Sequence, residues 1–366
     1  MKVTDLTLTM FNWQSELWKT GHNAFGGVSK LGIVTVTTDE GLEGHAFLGS
    51  ARQGADEFSV QLMKVLKPMV VGKNPLDNAG IWERMWKVRR NVAPRAIGAV
   101  DVALWDVAGK IAGLPIYKML GACREEVPVY ASSAWLPTAD DYVQEALHFK
   151  SIGWPAYKMH PHGKPDEDIE ICKAVRKAVG DSYPLMLDCM WAYNYEGALR
   201  VGLALQDLKF FWYEDPLEED DMYNYVKLKS KLYIPMMNTE YAPGGFYGMG
   251  QWVLSGATDI LRGDVAICGG ITPMVRMMHL ADAFRMKCEI HHGGNSLLNA
   301  ANLHVTLASN NCDYYEVFPC SGANKFGLVE DIEVNARGMV RVPQKPGLGF
   351  EIDWDLVKRE KVAVVK

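Results

Sequence analysis

The chain lacks several features that would have narrowed its class at once. There is no surplus of base: 44 acidic against 38 basic side chains leave a formal charge of −6. That excludes a basic stripe for nucleic acid and a polybasic segment for a membrane surface. There is no apolar run of the roughly 18 residues that a spanning helix needs. The first ten residues, MKVTDLTLTM, alternate apolar and polar like a strand and supply no continuous apolar leader. The seven cysteines (Cys123, Cys172, Cys189, Cys268, Cys288, Cys312 and Cys320) are scattered, odd in number and without a C-x-x-C pair. Neither a disulfide framework nor a zinc ribbon follows from them. These absences lead us to expect a cytoplasmic protein with no export signal or anchor, no nucleic-acid or membrane partner, and a small molecule as its ligand.

What is present is a chain of 366 residues, 48% hydrophobic, long enough for one large core and a smaller companion. Residues 2–9 and 31–37 (LGIVTVT) alternate like strands, and the second run meets the turn DEGLEG at 39–44. From Asp56 to about Gly121 the pattern is helical, clearest in VDVALWDVAGKIAGLPIYKMLG at 100–121. A small antiparallel sheet followed by helices is an α+β unit.

After Val127 short apolar runs alternate with helix-length stretches. Their ends fall at Ser132, His160, Asp188, Glu214, Glu240, Asp264, His291 and Glu316, at steps of 28, 28, 26, 26, 24, 27 and 25 residues. One strand, one helix and two short loops fill such a step, so the pattern predicts eight βα units closing into a parallel barrel. Seven of these eight ends carry His, Asp or Glu, at the face of a barrel where strand C-termini converge and active sites form.

The run Phe210, Phe211, Trp212, Tyr213 passes directly into Glu214 and Asp215 before Pro216 stops it. An unpaired buried carboxylate is costly, so this strand needs a positive charge at its end. Asp188, Glu214 and Glu240 lie on three successive predicted strands, and strands about 4.8 Å apart bring their ends to one point. Three hard oxygen donors without a thiolate suit Mg²⁺. Asp215 is read as a supporting partner or a helix cap. Lys158 and His160, two apart, share one face of their strand. Asp264 and His291 sit on neighbouring strands, where the acid can fix the ring's tautomer and raise its basicity. Glu316 completes the ring.

In this order, Lys-x-(basic residue), Asp, Glu-Asp-Pro, Glu, Asp followed by Ile-Cys-Gly-Gly, then His and Glu, the chain resembles the mandelate racemase subgroup of the enolase superfamily, most closely its acid-sugar dehydratases. The resemblance extends to DEGLEG and to AVDVALWDVAGKIAGLPIYKMLG and so covers nearly the whole chain. It implies a modified (β/α)8 TIM-like barrel at 126–320, an α+β capping domain at 1–125, and a C-terminal segment at 321–366 packing on the cap. It also implies a homo-oligomer.

In chemistry, the resemblance implies a carboxylate substrate bound to Mg²⁺ and a base that removes the proton next to that carboxylate, giving an enediolate. Asp188, Glu214 and Glu240 are then the metal ligands, and His291 with Asp264 is one acid/base. Lys158 assists the carboxylate and Glu316 hydrogen-bonds its far oxygen. Two positions depart from the usual pattern: His160 stands where a second Lys is common, and Met190 where Asn is common. Whether His160 or His291 takes the proton is open at this stage. Dehydration of a sugar acid is the preferred outcome, with racemisation, epimerisation or cycloisomerisation as the alternative. A barrel that only binds is the reading from another class, and the intact set of acids argues against it.

Substrate choice is expected from cap loops. The stretch 13–30, WQSELWKTGHNAFGGVSK, reads as a lid hinged by Gly21, Gly26 and Gly27, with Lys19, His22 and Asn23 as contacts. Arg52, Trp191 and His292 are further substrate-binding candidates.

Overall fold

The computed structural model describes residues 1–20, 23–319 and 323–366, and the side chains of all of these except 19, 20 and 23–25. Strands β1 (Val3–Thr20), β2 (Asn23–Thr38) and β3 (Glu43–Leu48) form an antiparallel sheet. Leu6, Leu8 and Met10 alternate inward along β1, as a sheet with one wet face requires.

Helix Pro94–Ala112 starts on Pro at its first turn and ends on Gly113 at φ 67°, a left-handed cap that costs glycine little. Its apolar residues bury on nearly all sides because it lies between the cap sheet and the barrel. Its two buried acids make that position specific. Asp106 accepts from the backbone N–H groups of His45 and Leu348. Asp101 accepts from the backbone N–H and the hydroxyl of Thr272. The second glycine of DEGLEG has a steric reason: a Cβ on Gly44 would meet the Ala103 carbonyl oxygen at 2.1 Å.

The second unit is a closed parallel barrel. Its strands are β4 (Val127–Ser132), β5 (Ala156–Met159), β6 (Leu185–Asp188), β7 (Trp212–Glu214), β8 (Met236–Asn238), β9 (Ile260–Gly263), β10 (Lys287–Ile290) and β11 (Tyr315–Val317). Each pairs in parallel with the next, and β11 returns to β4 through Tyr315↔Val129 and Glu316↔Tyr130. Helices fill the steps between strands as the period predicts. Inside, Tyr130, Ala156, Met186, Trp212, Met237 and Ile260 form one apolar layer, the packed interior expected of this architecture. After β11 the chain forms β12 (Met339–Val340) antiparallel to β4 and then β13 (Lys361–Val365), which pairs antiparallel with β1 at Leu8↔Val365. No helix among the described residues is long and apolar enough to cross a membrane, and the six described cysteines are all free.

Of the stretch 13–30 expected as a lid loop, the described residues, 13–20 and 23–30, are strand instead. β1 and β2 stay paired from Trp13↔Ser29 out to Thr20↔Asn23, with the register broken between Ser15 and Trp18. Gly26 serves that break: at φ 100°, its Cβ would lie 2.0 Å from the Glu16 carbonyl oxygen. Gly26 therefore permits a bulge in a paired ribbon. His22 and Gly21 lie outside the described residues, and of Lys19 and Asn23 only the backbone pairing is described.

Candidate active site

The C-terminal ends of the barrel strands bring most of the predicted residues to one mouth. Asp188 and Glu214 are direct register partners on β6 and β7. Glu240, Asp264 and His291 lie one or two residues past the ends of β8, β9 and β10. The turns here are strained: Met190 (φ 46°), Trp191 (φ 64°), Asp215 (φ 43°) and Thr239 (φ 92°) are all non-glycine residues at positive φ. Such strain persists only where surrounding contacts over-determine it.

Between the acids lies positive charge. Lys158, fully buried, places Nζ 3.0 Å from Asp188 Oδ2, 3.1 Å from Glu214 Oε1 and 2.9 Å from Glu316 Oε1. The sequence reading missed a second buried cation. Arg262, on β9, sets Nε 2.8 Å from Glu214 Oε1 and Nη2 2.7 Å from Glu316 Oε2. Burial alone would raise Glu316, but Lys158 and Arg262 together hold it well below the usual carboxylate range. As the structure stands, Glu316 is an acceptor.

Because Lys158 and Arg262 span the gaps between the predicted ligands, no three His, Cys, Asp or Glu side chains among the described residues are drawn together tightly enough to hold an ion as they stand. The donor chemistry nevertheless fits a hard divalent cation. Burial pushes Glu214 up to about 8 despite its two cations, and it pushes Glu240 up to about 8 as well. Glu240 has its nearest cationic atom, Arg262 Nε, only at 3.7 Å. Behind them, Asp215 Oδ1 and Glu219 Oε2 are buried without a hydrogen-bond partner. The mouth thus has more buried carboxylate than its own cations satisfy. Asp188, Glu214 and Glu240 are the residues that could hold Mg²⁺.

The two histidines differ in their partners. His160 has Nδ1 2.6 Å from the Ser133 carbonyl oxygen and Nε2 3.1 Å from Asp188 Oδ2. Both partners are acceptors, so this geometry is satisfied when both ring nitrogens carry hydrogen. His291 has Nδ1 2.7 Å from Asp264 Oδ2, and its Nε2 is 3.7 Å from Glu240 Oε1. The carboxylate accepts a hydrogen bond from Nδ1–H. Burial holds His291 well below the usual imidazole range, so Nε2 keeps its lone pair. Burial also pushes Asp264 up to about 6.

His160, Asp188, Glu240, His291 and Glu316 line one cavity of about 430 Å³ with Arg52, Trp191 and His292, so three of the five substrate-binding candidates reach it. His292 packs its ring 4.1 Å from that of His291 and gives its backbone N–H to Glu316. Arg52 lies over Trp18, 5.2 Å from the ring centre. Trp18, Ser133, Tyr241 and Phe318 also line the cavity and were not anticipated. Trp18 comes from β1, where the run had been read as loop, and meets Phe318 at 4.7 Å between ring centres. Trp191 stands edge-on to Tyr241 at 5.5 Å. An aromatic at a strand position beside a glycine break was the available signal.

Comparison with known proteins agrees with this architecture. The family described as "Enolase C-terminal domain-like" matches residues 141–356, and "Mandelate racemase / muconate lactonizing enzyme, N-terminal domain" matches residues 8–121. Arabinonate dehydratase of Saccharolobus solfataricus is 29% identical over 309 residues, 81% of this chain and 82% of that one. D-galactarolactone cycloisomerase of Agrobacterium fabrum is 28% identical over 88% of this chain and 89% of that one. Among solved structures, D-glucarate dehydratase from Agrobacterium tumefaciens complexed with magnesium superimposes with a TM-score of 0.89 at 31% identity, covering 99% of this chain and 100% of that one. With both of its parts matched and the barrel closed as described, the chain belongs to the mandelate racemase/muconate lactonizing enzyme family of the enolase superfamily.

Proposed function

We propose that this chain is a Mg²⁺-dependent acid-sugar dehydratase: it removes the proton α to the carboxylate of a sugar acid and expels the 3-hydroxyl as water, leaving a 2-keto-3-deoxy acid. The observation that carries this reading is the contrast between His291, with a lone pair on Nε2, and His160, with both nitrogens against acceptors, in one cavity. A proton abstraction followed by loss of hydroxide needs one base and one acid, and these rings supply one of each.

His291 takes the α-proton on Nε2, and Asp264 stabilises the imidazolium that results. Charge then develops on the substrate's carboxylate oxygens, and Lys158, buried behind Asp188 and Glu316, contributes a fixed positive charge. Asp188, Glu214 and Glu240 would hold Mg²⁺, which would supply Lewis-acid stabilisation of that charge. His160 gives its Nε2 proton to the departing hydroxyl. Trp18, Trp191 and Phe318 exclude water around the sugar chain, which strengthens each of these interactions. The residues' roles, the lyase reaction and a homo-oligomeric assembly belong to this reading. Two relatives support it by their names, an arabinonate dehydratase and a D-glucarate dehydratase.

The test is a screen of the purified protein, with Mg²⁺ and then with EDTA, against aldonic, aldaric and uronic acids, reading 2-keto-3-deoxy product as its semicarbazone. A chelator-sensitive product carries the proposal. Deuterium incorporation at C2 in D₂O without keto acid would replace it with an isomerase, the class to which the name of the cycloisomerase relative belongs.

A further inference from the structure

Four buried charges at the barrel centre form a closed ring. Lys158 Nζ lies 3.1 Å from Glu214 and 2.9 Å from Glu316, and Arg262 lies 2.8 Å from Glu214 and 2.7 Å from Glu316. Each acid is shared by both bases and each base by both acids. All four side chains are at most 1% exposed. A buried charge that loses its partner is strongly destabilising, so such a ring is retained whole or not at all.

Lys158 cannot do this work alone, because its ammonium is a point charge already divided among Asp188, Glu214 and Glu316. A guanidinium offers donors fixed in one plane and can span two carboxylates at once. Arg262 touches both: Nη2–H donates to Glu316, while Nε lies 2.8 Å from Glu214 as a charge contact without hydrogen-bond alignment, and the remaining terminal nitrogen, Nη1, donates to the Tyr130 hydroxyl at 3.1 Å, which fixes the plane itself.

We propose that Arg262 is a positioning residue that braces Glu214, on the side where the ion is held, against Glu316, on the side where the substrate carboxylate docks, and so couples the two. The proposal rests on the reading of Asp188, Glu214 and Glu240 as the ion's ligands. It makes an unusual prediction about sign. Loss of Arg262 removes a cation that repels the ion and competes for Glu214, so the ion binds more tightly. The same loss removes a charge that attracts an anionic substrate and the brace on Glu316, so the anion binds less tightly. General damage to the barrel would weaken both.

The experiment titrates Mg²⁺ calorimetrically into the chelator-stripped full chain as wild type, Arg262→Gln and Arg262→Lys near neutral pH, and then titrates tartronate into each in excess Mg²⁺. Arg262→Gln is expected to tighten Mg²⁺ roughly tenfold and weaken tartronate roughly tenfold, with Arg262→Lys between it and wild type. Both constants within about twofold of wild type in folded Arg262→Gln, or both weakened together, would overturn the proposal. If Arg262→Gln does not fold, Tyr130→Phe removes only the hydroxyl that fixes the guanidinium plane. Opposite shifts of about two- to threefold support the proposal, and wild-type constants overturn it. Wild-type protein that binds no Mg²⁺ would overturn the ligand reading along with it. Unchanged variants of a Mg²⁺-binding wild type would overturn only the role of Arg262.

Discussion

His291 and His292 lie ring against ring at 4.1 Å, yet only His291 has a carboxylate, Asp264, on its Nδ1. Asp264→Asn keeps the side chain's shape but takes away the charge that fixes the His291 tautomer and meets its imidazolium. Exchange of the substrate C2 proton should slow by about 10²- to 10⁴-fold. Mg²⁺ affinity should stay near wild type. NMR of C2 exchange in D₂O beside a calorimetric Mg²⁺ titration reads both, and exchange at the wild-type rate would remove Asp264 from the chemistry.

The proposed division of labour between the two histidines, His291 as base and His160 as acid, has its own signature. His160→Gln deletes the acid and leaves the base, so keto-acid formation should stop while deuterium still enters C2. His291→Asn should stop both. If His160→Gln abolishes C2 exchange as well, His160 is the base and the assignments must be reversed.

Glu240 is the least compensated of the three proposed ligands. A ligand that binds only the folded state at a hundred times its Kd adds about 2.7 kcal/mol of stability, so Mg²⁺ should raise the melting temperature of the wild type measurably. Glu240→Gln should lose most of that rise without lowering the melting temperature of the metal-free protein, because it replaces an acid that burial already pushes up to about 8. A full Mg²⁺ response in the variant would place the ion elsewhere.

His304, far from the mouth, predicts a pH dependence of stability. It accepts the Tyr117 backbone N–H on Nδ1 and donates Nε2–H to the Leu348 carbonyl, each at 3.1 Å. Both nitrogens are committed to a neutral ring, and burial lowers the group to about 4. The unfolded chain takes up this proton near the ordinary value of about 6.5, so the unfolded state binds more protons in between and stability falls as pH drops from about 6.5 to about 4. The loss is about 3 kcal/mol for a shift of this size. Urea denaturation of wild type and His304→Gln across that window should give a shallower slope for the variant, and parallel slopes would clear His304 of the effect.

The fold and the gathering of polar side chains at the barrel mouth were legible for the same reason. A period near 26 residues marks where apolar strands end, and at those ends polarity is tolerated only for function, which brought out Asp188, Glu214, Glu240, Asp264, His291 and Glu316 together. The predicted strands ran one or two residues long at Glu240, Asp264 and His291, which lie just past the ends of β8, β9 and β10.

What escaped the sequence reading has equally physical causes. Arg262 sits inside the short strand Ile260–Gly263, where a lone base reads as an exposed edge until barrel closure brings Glu214 and Glu316 to it from the strands two places away on either side. Trp18 was hidden because glycines at 26 and 27 look like a hinge in one dimension and work as a bulge in two. Tyr241, Phe318 and Ser133 follow strand ends on turns, and periodicity carries no information on where a turn points.

The pairing of β13 with β1 joins residues 357 positions apart at Leu8↔Val365. During synthesis, the eight strands of the barrel emerge from the ribosome while one edge of the cap sheet still waits for its last strand. The edge left open belongs to β1, the strand that carries Trp18 to the cavity. An unpaired edge is a template for other chains, and such a long closure is slow to find. The nascent protein therefore has its barrel before it has the finished sheet behind one wall of the cavity, and its exposure to misassociation falls in that interval.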